Sequence, residues 1–136
     1  MKKILVFAGS NSLNSINKKF AVFAAGKLND VTLEIVDLNN FQLPTFGIDL
    51  ELSQGIPDNA MLFLEKIKSS QGIVLSLAEH NGSYTSVFKN LMDWMSRIDG
   101  KLWSNKDIKI LIGLFNSTSG DIENIANVLG RTEWAV

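Results

Sequence analysis

Four short apolar runs, each bounded by polar or turn-forming residues, constrain the fold more than any other feature of the sequence. They cover residues 4–8, 33–38, 72–78 and 108–115. The first, third and fourth are almost uninterrupted, which is typical of central parallel strands covered on both faces. The run 33–38 alternates polar and apolar residues, which indicates a strand nearer an edge.

Helical patterns separate these runs, and we predict helices around residues 16–28, 57–67, 83–98 and 119–129. The side chains expected to face the core in the first two are Ile16, Phe20, Phe23, Ala24, Leu28, Met61, Leu64 and Ile67. The alternation of strand and helix predicts an α/β domain with a doubly wound parallel sheet. The 136 residues fit one domain, spanning 1–136. Residues 39–56 are predicted to be irregular and to lie beside a site.

The third predicted helix carries two apolar stripes instead of one. Their members are Val87, Leu91, Trp94 and Ile98 in one stripe, and Phe88, Met92 and Met95 in the other. One stripe is enough to cover a sheet. The second stripe is covered either by a partner subunit or by a loop or helix of the same chain, and the sequence leaves both open.

Composition excludes several classes of function. The chain has no cysteine and one histidine, so disulfides, thiolate metal sites, cysteine nucleophiles and a histidine-rich zinc site are not expected. A formal net charge of −1 argues against nucleic-acid binding. No apolar run is long enough to cross a membrane, and the run 4–8 is too short for a signal peptide. A cytoplasmic location is the expectation.

Residues 9–17, between the first predicted strand and helix, are the most informative segment. They read Gly9-Ser10-Asn11-Ser12-Leu13-Asn14-Ser15-Ile16-Asn17. Small hydroxyl and amide side chains at a helix start, with free backbone N–H groups, can hold a monophosphate without lysine or arginine. The alternative is an ordinary polar turn in which Ser15 caps the helix. The glycine patterns of dinucleotide-binding and Walker loops are absent from the sequence.

Two further polar loops follow the third and fourth predicted strands. Residues 76–84 contain the turn signal Asn81-Gly82, and residues 116–120 read Asn-Ser-Thr-Ser-Gly. Backbone groups of the first of these loops can bond the polar edge of a flat heteroaromatic ring. Each loop alone is equally well explained as a capped turn, with Ser83 as the helix cap in the first. Three such loops at neighbouring strand ends together favour a ligand site.

The sequence of these loops resembles that of the NAD(P)H-dependent FMN reductases. That family carries G-S-x-R-x-x-S-x-N after its first strand, and here Gly9-Ser10, Ser15 and Asn17 stand in register. Its P-E-Y-N-G-S and K-N-x-x-D-W motifs correspond to residues 78–83 and 89–94. The likeness covers residues 1 to about 115 well.

Several features depart from the family pattern. Ser12 replaces the arginine of the first loop, Ala78 and His80 replace proline and tyrosine, and the third loop lacks paired glycines. The chain also stops where a fifth strand is expected to begin.

The resemblance implies a flavodoxin-like sheet with strand order 2-1-3-4 and a fifth strand that is truncated or very short. It also implies an oxidoreductase that passes a hydride from NAD(P)H through bound FMN to a quinone, azo compound, free flavin or similar acceptor, without a catalytic side chain or metal. The implied cofactor-binding residues are Ser10, Ser12, Ser15, Ile16, Asn17, Glu79, His80, Asn81, Gly82, Ser83, Ser117 and Thr118. A homodimer or homotetramer through residues 83–98 is expected. The departures favour the alternative, an electron carrier or interaction module with weak or no flavin binding.

Overall fold

The computed structural model describes residues 1–98 and the backbone of residues 109–115. Its strands are β1 (Lys2–Gly9), β2 (Val31–Ile35), β3 (Gly72–His80), β4 (Ser83–Tyr84) and β5 (Lys109–Phe115). Its helices are α1 (Ile16–Ala25), α2 (Ile48–Gln54), α3 (Asp58–Lys68) and α4 (Ser86–Ile98), with a 3₁₀ turn at Leu38–Asn40. None of these helices is long and apolar enough to cross a bilayer. The predicted helix 119–129 lies outside the described residues.

Four of the strands form one parallel sheet in the order β2-β1-β3-β5. The short strand β4 folds back antiparallel onto the end of β3. Counting the parallel strands alone, this is the predicted order 2-1-3-4, and the flavodoxin-like α/β fold class is confirmed. Gly9 at the end of β1 stands opposite Leu77 of β3, so both strands end at the same edge.

The two faces of the sheet are packed differently. On one face, α1 lays Ala21 and Ala25 against Val6 and Val74. On the other face, α3 and α4 enclose a larger core whose buried members are Leu5, Phe7, Val36, Leu38, Phe63, Leu64, Ile67, Ile73, Leu75, Leu77, Phe88, Leu91 and Met95. Small side chains let the axis of α1 approach the sheet closely, whereas the second face is filled by large ones.

The predicted core stripe of α1 is wrong at most of its positions, although Ala24 packs against the core. Ile16 and Phe23 are about half exposed, at 53% and 52%, and the helix instead buries Asn17, Ala21 and Ala25. Both sides of α1 carry apolar residues, so periodicity alone did not decide between them. Close packing on the sheet favoured the alanine side, because it allows more atoms to come into contact.

Two further segments differ from expectation. Met61 of α3 is 42% exposed, and the buried face of that helix is formed by Ala60, Phe63, Leu64 and Ile67. Residues 39–56 are not wholly irregular, since they contain most of the 3₁₀ turn and the whole of α2. Helix α2 has no buried residue, so it lacks the apolar stripe by which a helix is predicted.

Helix α4 begins at Ser86 and not near residue 83, because Ser83 and Tyr84 pair with the end of β3. Both of its apolar stripes contact the core of the same chain. Phe88, Leu91 and Met95 belong to the core beneath α3 and α4, and the stripe members Val87, Met92 and Ile98 pack against it. The second stripe thus has contacts within the chain, although Val87, Met92 and Ile98 are only partly buried, and the expected oligomer stays a prediction.

Candidate functional site

Two loops meet at the carboxyl edge of β1 and β3. The first loop is residues 10–15, and the second loop is residues 79–84, the hairpin formed by the end of β3 and β4. The hydroxyl of Thr85, which directly follows the second loop, donates a 2.7 Å hydrogen bond to the carbonyl of Gly9, which directly precedes the first. Thr85 is only 2% exposed, so this bond joins the two loops from within the protein.

Gly9 is required at the start of the first loop by this close approach. A Cβ at this position would lie 2.6 Å from Cδ2 of Leu77 and 3.3 Å from the ring of Phe88. Both neighbours are buried in the core and have little room to move. The glycine thus allows β1, β3 and α4 to converge beneath the site.

Ser15 organises the first loop. Its Oγ accepts the N–H of Lys18 at 3.1 Å and so caps α1, and its own N–H donates to the carbonyl of Ser12 at 3.2 Å. The Oγ of Ser10 accepts the N–H of Ser12 at 3.2 Å. Because the cap uses only the acceptor side of the Ser15 hydroxyl, its proton remains available to a ligand.

The start of α1 offers uncommitted donors beside Ser15. The backbone N–H groups of Ile16 and Asn17 have no acceptor within the described part of the chain. The first turn of α1 carries no acidic side chain that would neutralise the positive end of the helix. Free N–H donors, hydroxyl protons and a positive helix end together fit a phosphate group.

Lys18, in the first turn of α1, forms an ion pair with Asp37. Nζ of Lys18 lies 2.5 Å from Oδ2 of Asp37, and the same carboxylate accepts the N–H of Asn39 at 2.9 Å. The hydrogen bond from Lys18 lowers the pKa of Asp37 below its ordinary value, with smaller help from Asn39 and against the opposing effect of burial. Lys18 therefore does not replace the family's arginine, and Ser12, which stands in its place, is exposed.

The second loop is a tight hairpin. Glu79 pairs with Tyr84 and His80 with Ser83, while Asn81 and Gly82 take φ values of 54° and 77°. Two consecutive positive φ values, with Asn-Gly at the turn, match the twist of a two-residue hairpin. The N–H of Gly82 donates to the carboxylate of Glu79, so this donor is already used within the loop.

Thr85 is a site residue that the sequence analysis missed. It, and not Ser83, caps α4: its Oγ1 accepts the N–H of Phe88 at 3.3 Å and its carbonyl accepts the N–H of Lys89 at 3.1 Å. A threonine just before an apolar helical pattern is a recognisable cap signal. Ser83 is also a hydroxyl residue shortly before that pattern, so the sequence analysis places the helix cap there.

Residues 89–94, which match the K-N-x-x-D-W motif, bind the segment that precedes α2. Asn90 accepts the N–H of Phe46 at 2.8 Å and donates to the carbonyl of Pro44 at 3.0 Å. Nε1 of Trp94 donates to the same carbonyl at 2.8 Å, and the ring of Phe46 packs edge-on against Trp94. Lys89 and Asp93 form an ion pair one turn apart. Asn90 and Trp94 thus fasten residues 44–46 to α4.

A crevice of about 270 Å³ lies between the first loop, the segment after β2 and α4. Its lining residues are Asn11, Leu38, Asn39, Phe41, Gln42, Leu43, Val87, Asn90 and Leu91. Part of the segment 39–56 therefore lies beside the first loop.

The structure brings together ten of the twelve sequence-predicted site residues, in two groups at one edge of the sheet. Those in or next to the first loop are Ser10, Ser12, Ser15, Ile16 and Asn17, and those in the second loop are Glu79, His80, Asn81, Gly82 and Ser83. In the first group Ser15 and Asn17 are buried, and all five residues of the second group are exposed. Ser117 and Thr118 lie outside the described residues.

Sheet order and loop placement define a flavodoxin-like α/β protein. The chain belongs to the NADPH-dependent FMN reductase family, whose family model matches residues 2–131. The family is named for the reduction of FMN with NADPH.

Similar proteins include an uncharacterized protein of Mycoplasma pneumoniae, 33% identical over 112 residues, which cover 82% of this chain and 64% of that protein. A 2-hydroxy-1,4-benzoquinone reductase of Burkholderia is 32% identical over 106 residues, or 76% of this chain and 56% of the enzyme. The chain thus spans roughly three fifths of the length of these relatives. The flavoenzyme FerB of Paracoccus denitrificans, an NAD(P)H:(acceptor) oxidoreductase, has a similar fold, with a TM-score of 0.63, 23% identity and coverage of 96% of this chain and 68% of that one.

Proposed function

We propose that this chain binds FMN at the joined loops and uses it to pass a hydride from NAD(P)H to a small acceptor, with quinones as the acceptor class to test first. The observation that carries the proposal is the pair of free N–H groups at Ile16 and Asn17, next to the Ser15 hydroxyl and tied to the second loop through Thr85. The name of the Burkholderia relative supports quinones as acceptors.

The first loop takes the phosphate in this proposal. The hydroxyls of Ser10, Ser12 and Ser15 and the N–H groups of Ile16 and Asn17 are the donors. Because Ser12 replaces a charge-assisted contact worth about 1.5–3 kcal/mol, we expect FMN to bind more weakly than in an arginine-bearing relative.

The second loop takes the edge of the ring. His80 and Asn81 are exposed residues at the tip of the hairpin, while the N–H of Gly82 is held by Glu79. Ser117 and Thr118 stay predicted contributors on the far side. Hydride transfer is the chemistry that FMN supplies when bound, and the residues of this chain hold and orient it.

The full chain is to be titrated with FMN. The loaded protein is then reduced with NADPH under argon while the absorbance at about 450 nm, characteristic of oxidised flavin, is followed. We expect saturable binding, bleaching by NADPH and return of the colour when a benzoquinone is added. Absence of flavin uptake would refute the proposal.

A second candidate is an electron carrier or interaction module. Two observations favour it: Ser12 is uncharged, and the Gly82 N–H is already hydrogen-bonded. The same titration distinguishes them, since a carrier binds FMN that NADPH does not bleach, and an interaction module takes up no flavin.

A further inference from the structure

A buried polar pair lies directly beneath the start of α1. The hydroxyl of Ser76, in the middle of β3, donates a 2.7 Å hydrogen bond to Oδ1 of Asn17, the second residue of α1. Ser76 is 1% exposed and Asn17 is 6% exposed. The contact joins residues 59 positions apart in the sequence.

The surroundings of this pair are apolar. Val74 precedes Ser76 on the same face of β3, and Ala21 follows Asn17 one turn later on α1. A hydrogen bond between neutral groups contributes little net stability, and an apolar pair of the same shape can stabilise a fold equally well. Stability alone therefore does not account for a serine and an asparagine at this position.

The hydrogen bond fixes which way the Asn17 amide faces. With Oδ1 turned to Ser76, Nδ2 is the remaining hydrogen-bonding group, and it has no acceptor among the residues that the structure describes. The free backbone N–H of Asn17 and the Ser15 cap lie in the same turn.

We infer that Ser76 is a positioning residue for phosphate: it orients the Asn17 amide so that Nδ2, and not Oδ1, is presented to the phosphate of the flavin. This inference rests on the proposed function. A phosphate dianion offers only acceptor atoms, so an amide turned the other way would set an oxygen lone pair against it. In a loop where Ser12 replaces an arginine, each neutral donor matters more.

The test compares FMN with riboflavin, which has the same ring and no phosphate. In the full-length protein, Ser76→Ala is expected to raise the FMN Kd about three- to tenfold and to leave the riboflavin Kd unchanged. Asn17→Ala is expected to have a similar effect, and the double variant no further one. Ser76→Thr, which keeps the hydroxyl, is expected to restore the wild-type preference for FMN.

A second variant keeps the inference falsifiable if Ser76→Ala does not fold. Asn17→Asp retains the acceptor for Ser76 but replaces Nδ2 with a carboxylate oxygen, and is expected to raise the FMN Kd more than tenfold while riboflavin binding is kept. If the variants that fold bind both flavins equally more weakly, or bind both as the wild type does, the role of Ser76 is overturned. The proposal that the protein binds FMN would still stand. A wild-type protein that binds neither flavin would overturn the proposed function and this inference with it.

Discussion

The first and second loops lie side by side but satisfy their backbone groups in opposite ways. In the first, the N–H groups of Ile16 and Asn17 have no acceptor in the part of the chain that the structure describes, because a helix start leaves its first donors without intrahelical partners. In the second, hairpin pairing and the bond from Gly82 to Glu79 use donors internally. Under the proposed function, this difference corresponds to a division of labour: the first loop is expected to recognise charge, and the second to provide a fixed surface.

The strongest challenge to this division is Ser15→Asp. Aspartate still caps α1, so the fold is expected to be kept, but its charge opposes a phosphate. We expect the FMN Kd to rise about 100-fold, or roughly 2.7 kcal/mol, in a flavin fluorescence titration. Riboflavin, titrated in parallel, is expected to bind as before. Unchanged FMN binding would remove the first loop from the site.

The hydrogen bond from the Thr85 hydroxyl to the Gly9 carbonyl, which joins the two loops, is tested by Thr85→Val. Valine has nearly the same shape but leaves the Gly9 carbonyl without its donor and removes the cap of α4. We expect a loss of about 2–3 kcal/mol in the free energy of unfolding, measured by urea denaturation. Thr85→Ser retains the hydroxyl and is the matched control. Equal stability of the two variants would mean that the Thr85 hydroxyl contributes nothing to the free energy of unfolding.

Rigidity of the second loop is tested by Gly82→Ala. At a φ of 77°, a Cβ is strained even though no neighbouring atom lies within 4 Å, so we expect a cost of about 1–2 kcal/mol. Gly26→Ala is the control, because Gly26 has a φ of −65° and an alanine there fits without strain. Thermal unfolding that ranks the two variants in the reverse order would contradict a fixed hairpin.

The smallest effect is expected from Asp37→Asn, which breaks the ion pair with Lys18 beside the first loop. This partly exposed pair contributes about 0.2–1 kcal/mol. Since the folded pKa of Asp37 is lowered, its contribution is full above the ordinary value of 3.8 and is lost as pH falls through the folded pKa. Urea denaturation is expected to separate the variant from the wild type at pH 7 and to bring them together in strong acid.

The doubly wound α/β class was predictable, because short apolar runs alternating with helices leave few right-handed topologies. The strand order was implied by the family resemblance, and the meeting of the loops follows from parallel strands ending at one edge of the sheet. The Asn-Gly turn was also visible. The hairpin around it was not, because Ser83 and Tyr84 are too few residues to form a strand pattern. Ser76 stands inside an apolar run, so its partner Asn17 emerged only in three dimensions.

Helix α1 illustrates a different limit. Its larger apolar residues, Ile16 and Phe23, suggested the wrong inner face, since burial by Ala21 and Ala25 depends on how near the helix lies to the sheet. That distance is a property of the packed layers and is not encoded in the periodicity of one segment.

Ala21 and Ala25 restrict the substitutions that α1 can accept. Short side chains such as serine and asparagine bridge α1 and β3 only because nothing bulky separates the layers. A single larger residue at Ala21 would wedge the helix away and pull the Asn17 amide out of reach of Ser76. Under the proposed function, a substitution at Ala21, outside the proposed flavin contacts, is thus expected to change the preference for FMN over riboflavin.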